Sequence, residues 1–182
     1  MKKVYIFFAN GFEEVEAITV VDVLRRAGAD VKLVSINWDN NVEGAHGLKI
    51  VCDCTFDKCN FSDADLLVLP GGMPGTENLG NHVGLVQLVK EANQKGTNIS
   101  AICAAPMIFG KNNLLAGKKA TCYPGCESQL NGATVLKERV VEDGNIITSN
   151  GPASALAFSL SLAKRLFGEE VANNVAKAML AL

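Results

Sequence analysis

The sequence predicts an α/β fold in which a mostly parallel sheet is covered by helices on both faces. Two observations carry this expectation. Short apolar, β-branched runs alternate with stretches of helical period along the whole chain. Those runs are apolar on consecutive residues, as expected of strands buried on both sides.

The elements follow in order. Residues 4–9 read as the first strand. Residues 14–27 read as a helix, with Val15, Ile18, Thr19, Asp22 and Val23 spaced at three and four. Gly28 suits its C-terminal cap. Residues 31–36 form the second strand. Residues 37–47 are turn-rich, with Asn40-Asn41 at the tip, and 48–52 read as a short edge strand. Residues 65–69 make a third buried strand ending in Pro70-Gly71-Gly72. A helix is expected over 82–95, ended by Gly96, then a fourth strand over 98–102. The chain turns helical from Ala104. Residues 140–148, broken at Asp143-Gly144, read as a β-hairpin. Two helices, 153–167 and 169–182, close the chain.

The 182 residues suit a single domain spanning 1–182. Hydrophobic residues make up 48% and charged residues 20%, the balance of an ordinary globular protein. The net charge is -2 and no Lys/Arg run occurs, so nucleic-acid binding is not expected. No apolar stretch has the length to cross a bilayer, so no membrane role is expected. The first eleven residues lack the length and cleavage site of a signal peptide, which points to a cytoplasmic protein. Six cysteines, at 52, 54, 59, 103, 122 and 126, are then expected as free thiols. No CxxC pair exists and both histidines lie far from the cysteines in sequence, so no metal site is expected.

In open parallel sheets chemistry collects outside the carboxyl ends of the strands. Four loops there carry small or polar residues: Asn10-Gly11, Gly71-Gly72, Cys103-Ala104 and Asn150-Gly151. Residues 98–106 (NISAICAAP) end an apolar strand at Cys103 and follow it at once with small residues. Such a sharp strand-to-helix turn exposes a nucleophile at the top of the sheet. A thiol at a helix start is expected to have a depressed pKa. The same position also suits an inert buried thiol. Glu13, Glu14 and Glu16 crowd the first turn of the first helix, where acids are ordinary. Glu16 differs, because its neighbours Val15, Ala17 and Ile18 place it on a covered part of the helix. A buried carboxyl has a raised pKa and can give or take a proton. Gly71-Gly72 offers backbone N–H groups to an oxyanion.

These residues resemble the ThiJ/PfpI family, in the branch of the parkinsonism-associated protein deglycase and its bacterial relatives. The resemblance rests on residues 8–16 (FANGFEEVE), 22–28 (DVLRRAG), 67–72 (LVLPGG), 101–106 (AICAAP) and 148–152 (TSNGP), in that order. It implies a flavodoxin-like three-layer α/β/α sandwich and a homodimer. It places Cys103 on the family's nucleophilic, oxidation-sensitive cysteine and Glu16 on the acid that contacts that sulfur. Gly72 and Ala104 fall on the oxyanion-binding positions, with Gly71, Asn10 and Tyr123 around the substrate. The activities implied are cofactor-free glyoxalase and deglycase, acting on small carbonyl compounds or glycated amines and thiols, besides chaperone and oxidative-stress roles. No cofactor is implied. Two departures stand out. Tyr123 occupies a position where relatives often carry histidine, and tyrosine is a poor base near neutral pH. Ala104 stands where the protease-like branch has histidine, which argues against a protease. His46 lies in a loop that in relatives reaches toward the partner's site, although a solvated loop histidine fits the sequence better.

Overall fold

The computed structural model describes residues 1–181. Its strands are β1 (Lys3–Phe8), β2 (Asp30–Ser35), β3 (Asn41–Glu43), β4 (Lys49–Val51), β5 (Cys54–Thr55), β6 (Leu66–Leu69), β7 (Asn98–Ile102), β8 (Lys119–Ala120), β9 (Thr134–Val135), β10 (Val140–Asp143) and β11 (Ile146–Ser149). Its helices are α1 (Glu14–Arg26), α2 (Gly75–Asn81), α3 (Val83–Gln94), α4 (Pro106–Lys111), α5 (Ala155–Phe167) and α6 (Glu169–Ala178). The central sheet has the order β10-β11-β7-β6-β1-β2-β5, and only β10–β11 is antiparallel.

Strand β1 shows why the chain makes three layers. Val4, Ile6 and Phe8 join one core with Val20 and Leu24 of α1 and Phe158 and Leu162 of α5. Tyr5, Phe7 and Ala9 join a second core with Leu79 of α2, Leu85 and Val89 of α3 and Phe109 of α4. Alternate strand residues face opposite sides of the sheet, so an unbroken apolar run must be covered twice. Each large side chain so buried contributes about 1.5–3 kcal/mol, more than helix propensity supplies per residue. The two cores therefore hold the layers together.

The chain steps from β1 to β2 on one side, then returns to the other side for β6, β7 and β11. The reversal lies between β1 and β6, where the following helices depart to opposite faces. That crevice is where ligands bind in sheets of this kind. Strands β1, β6, β7 and β11 run parallel, so the four loops singled out in the sequence share one end of the sheet.

The structure corrects several expectations. The strand expected at 48–52 is β4, which pairs with β3 in a separate hairpin, while the sheet edge beside β2 is β5. Helix α2 was not expected, because Gly75, Asn78, Gly80 and Asn81 are weak helix formers. Tertiary packing of Leu79, fully buried, holds it. Helix α1 buries Glu16, Ala17, Val20, Val21, Val23 and Leu24, whereas Val15 and Ile18 are exposed. The helix forms where its period predicts but turns a different face inward, since valine and isoleucine occur on both sides. The last helix ends at Ala178, and Leu182 lies outside the described residues. The expectation of six thiols also fails: Cys54 and Cys59 are joined in a disulfide. The 3₁₀ turn Phe56–Lys58 doubles the chain back and brings their Cα atoms to 6.4 Å, within bridging range. Compartment sets whether thiols are oxidised in general, whereas this pair is set by local geometry. No helix among the described residues is long and apolar enough to cross a membrane.

Candidate active site

Cys103 follows β7 directly and adopts φ 64°, the left-handed region, which is unusual for a residue with a side chain. Two backbone hydrogen bonds hold it there. Its N–H donates to the Ser149 carbonyl at 2.9 Å, and its carbonyl accepts from the Tyr123 N–H at 2.7 Å. Parallel strand β11 and the loop after β8 thus clamp the turn from two sides. Strain of this kind costs about 1–3 kcal/mol and persists only where the surroundings enforce it. The N–H groups of Ala104 and Gly72 both donate toward the sulfur.

Glu16 reaches the same point from α1. It is fully buried, and its Oε2 accepts from the Gly71 N–H at 2.8 Å. A carbon placed on Gly71 as Cβ would lie 2.6 Å from the Cys103 Cβ and 2.7 Å from Glu16 Oε2. One missing methyl group therefore separates neither residue from the other, and the glycine is what lets acid and thiol approach. Gly72 is constrained differently. It has φ 90°, and a Cβ there would lie 2.5 Å from the Gly11 carbonyl oxygen and 2.7 Å from the Phe12 carbonyl carbon. Only glycine lets the loops after β1 and β6 nest so closely.

Burial pushes the Glu16 carboxyl up to about 7, against the lowering effects of the Gly71 N–H and the thiol. Burial also pushes the Cys103 thiol up, and the Glu16 charge pushes it further; the N–H groups of Ala104 and Gly72 oppose this only in part. The depressed thiol pKa expected from a helix start is thus overturned. Helix α4 begins only at Pro106 and has six residues, so its dipole is weak at the sulfur. The two groups share charge: the pair gives up one proton near neutral pH and resists losing the second. Glu16 Oε1 is buried and has no hydrogen bond of ordinary geometry among the described residues.

The DJ-1/PfpI family model matches residues 2–165. The chain belongs to the DJ-1/PfpI family. It is 44% identical over 176 residues to protein DJ-1 homolog B of Arabidopsis thaliana, which covers 96% of the chain but 40% of that relative. The chain therefore spans less than half the length of that relative. It is 34% identical over 166 residues to a deglycase of Pyrococcus horikoshii, covering 90% of this chain and 99% of that one. The solved structure of oxidized Toxoplasma gondii DJ-1 superposes with a TM-score of 0.95 at 34% identity, covering 99% and 98% of the two chains. The flavodoxin-like sandwich expected from the motifs is thereby shown.

Within this DJ-1/PfpI fold the remaining candidate residues sort by position. The Gly71 N–H is taken by Glu16, so it holds the acid and is not free for an oxyanion. Tyr123 lies beside the turn through its backbone; its ring is half exposed and rests against Gly151. Asn10 engages the loop after β2 and strand β3. Its Oδ1 accepts from Asn37 Nδ2 at 3.1 Å and the Glu43 N–H at 3.0 Å, and it lines a separate cleft. His46 bonds within its own chain, with Nδ1 2.8 Å from Glu14 Oε2 and its N–H donating to Glu14 Oε1 at 2.7 Å. That hydrogen bond, with the charge of Glu13, raises the His46 pKa. Glu13, Glu14 and His46 each offer a ligand atom within 4.8 Å of the others. Acids gather at helix starts for dipole reasons, and this group carries no metal assignment. Ser149 was missed in the sequence. It acts through its carbonyl, which no side-chain pattern reveals.

Proposed function

We propose that the chain is a cofactor-independent glyoxalase or deglycase acting on methylglyoxal or its early adducts on amines and thiols. The observation that carries this reading is the buried Glu16–Cys103 pair around Gly71. Glu16 loses its proton at about 7, while burial and the Glu16 charge keep the proton on the sulfur. The singly ionised pair is therefore a carboxylate beside a thiol, poised to take the thiol proton when a carbonyl is bound. The unpartnered Oε1 is the buried oxygen left to accept that proton.

The Glu16 carboxylate takes the thiol proton as the sulfur adds to the aldehyde carbon, so a C–S bond forms while the carbonyl π bond breaks. The oxygen that gains charge is met by the Gly72 and Ala104 N–H groups and takes the proton from Glu16, which is again a carboxylate. The Glu16 carboxylate takes the proton from that carbon and returns it to the neighbouring one, while the hydroxyl proton passes to the second oxygen, giving a thioester of lactate. Water then cleaves the C–S bond, releasing lactate and the thiol. Proton NMR of the purified chain with methylglyoxal is expected to show lactate, and Cys103→Ala to reduce its rate at least about a thousandfold. Equal rates from the two proteins would falsify the enzyme reading.

A second reading treats Cys103 as an oxidation sensor. The oxidized state named for the Toxoplasma gondii relative favours it, as do the donors around the sulfur. Intact mass after mild peroxide separates the readings: gain of two oxygens at Cys103 with no carbonyl turnover selects the sensor.

The chain is further read as a homodimer. Val15 and Ile18 sit exposed on α1 beside Glu14 and its His46 partner. Light scattering is expected to give twice the chain mass, and Val15→Asp to give the single-chain mass. A monomeric native protein would remove this reading.

A further inference from the structure

A cleft of about 910 Å³ opens at the carboxyl ends of β1 and β2, and neither Cys103 nor Glu16 lines it. Its walls are the loop after β2, Asn10 after β1, and the end of α2 with His82. It adjoins the crevice at which the sheet reverses direction, the usual ligand position in open α/β sheets. The internal hydrogen bonds of Asn10, Asn37 and Asn78 shape these walls without closing them.

Trp38, the one tryptophan of the chain, lines this cleft and is 99% exposed. Tryptophan is highly buried on average, because leaving its ring in water forfeits several kcal/mol. Around it stand polar groups with spare capacity. The Asn41 and Asn81 side chains have no hydrogen-bond partner among the described residues. His82 Nδ1 accepts from the Leu85 N–H at 3.0 Å, which fixes Nε2 as the donor. Asp39 uses one oxygen on the Asn41 N–H, leaving the other. Glu43 lies 3.6 Å from Lys49, so the carboxylates outnumber the single ammonium.

This chemistry selects a ligand class. Amides and carboxylates present paired donors and acceptors that match adjacent hydroxyls. The indole face suits the C–H surface of a saturated ring. The excess of carboxylate repels phosphates and carboxylic acids. We propose that the cleft binds a neutral sugar ring, stacked on Trp38 and held by Asn41, Asn81 and His82. The site is independent of the Cys103 chemistry.

Because Trp38 is the sole tryptophan, its emission reports occupancy directly. The purified chain is titrated with D-glucose, D-ribose and maltose, and in parallel with AMP and inorganic phosphate. A saturable emission change is expected with at least one sugar. Asn81→Ala is expected to weaken it at least about tenfold, while Cys103→Ala leaves it unchanged. Calorimetry on Trp38→Ala, with circular dichroism showing the fold intact, is expected to lose the binding heat. Absence of a saturable response to all three sugars overturns the proposal, as does a response confined to AMP or phosphate. A response to sugar that persists unchanged in Trp38→Ala and Asn81→Ala overturns it as well.

Discussion

Glu16→Gln is expected to slow lactate formation at least about a hundredfold and, above neutral pH, to make the protein more stable than the native chain. The two effects have one origin. Burial raises the Glu16 carboxyl from the ordinary 4.5 to about 7. Between those values the unfolded chain has lost a proton that the fold retains. The folded state then binds more protons, so stability is fully present below the unfolded value and falls as pH rises toward about 7. Above that, the difference amounts to about 3 kcal/mol of native stability. Glutamine bears no charge there and still offers an oxygen to the Gly71 N–H. Urea unfolding at acid and alkaline pH checks this, and an unchanged pH dependence in the variant would sink it. The rate profile moves too. Activity of the native pair should rise with pH through about 7, as its first proton leaves. Without Glu16 the thiol must ionise alone, and burial holds it above its ordinary 9.0. The acid limb of kcat/KM should therefore shift upward by more than one pH unit.

Gly71→Ala is expected to be the most damaging single-methyl change at the site. The added carbon would lie 2.6 Å from the Cys103 Cβ, 2.7 Å from Glu16 Oε2 and 3.0 Å from the Ile102 carbonyl oxygen. Two of these are the strained turn and the end of a buried strand, which cannot yield without moving the sheet. Glu16 must then retreat and give up its bond to the Gly71 N–H. Overpacking of this kind costs about 1–3 kcal/mol. A displacement near 1 Å between acid and thiol lowers turnover about a hundredfold. Turnover and urea midpoint measured together test this. Native turnover in the alanine variant would show that the close approach has no catalytic role.

Much of this architecture was legible in the sequence. Runs such as Val4–Phe8 are apolar on every residue, and that pattern has one physical solution, a strand covered twice. The elbow at Cys103 was legible as well, because a sharp turn demands the small residues that follow it. Helix α2 was not, since Leu79 stabilises it from outside the segment. Trp38 is a further legible signal: a lone tryptophan among Asn37, Asp39, Asn40 and Asn41 has no core to enter.

The sequence by itself determined the layers, the parallel sheet and the residues able to do chemistry, because periodicity and turn preference act over a few neighbouring positions. Only the tertiary structure decided that Glu16 meets the Gly71 N–H fifty-five residues away, and that Cys54 bonds to Cys59. It also decided that the thiol is raised rather than lowered. Proton affinity follows burial and neighbouring charge, and neither exists until distant strands have been packed side by side.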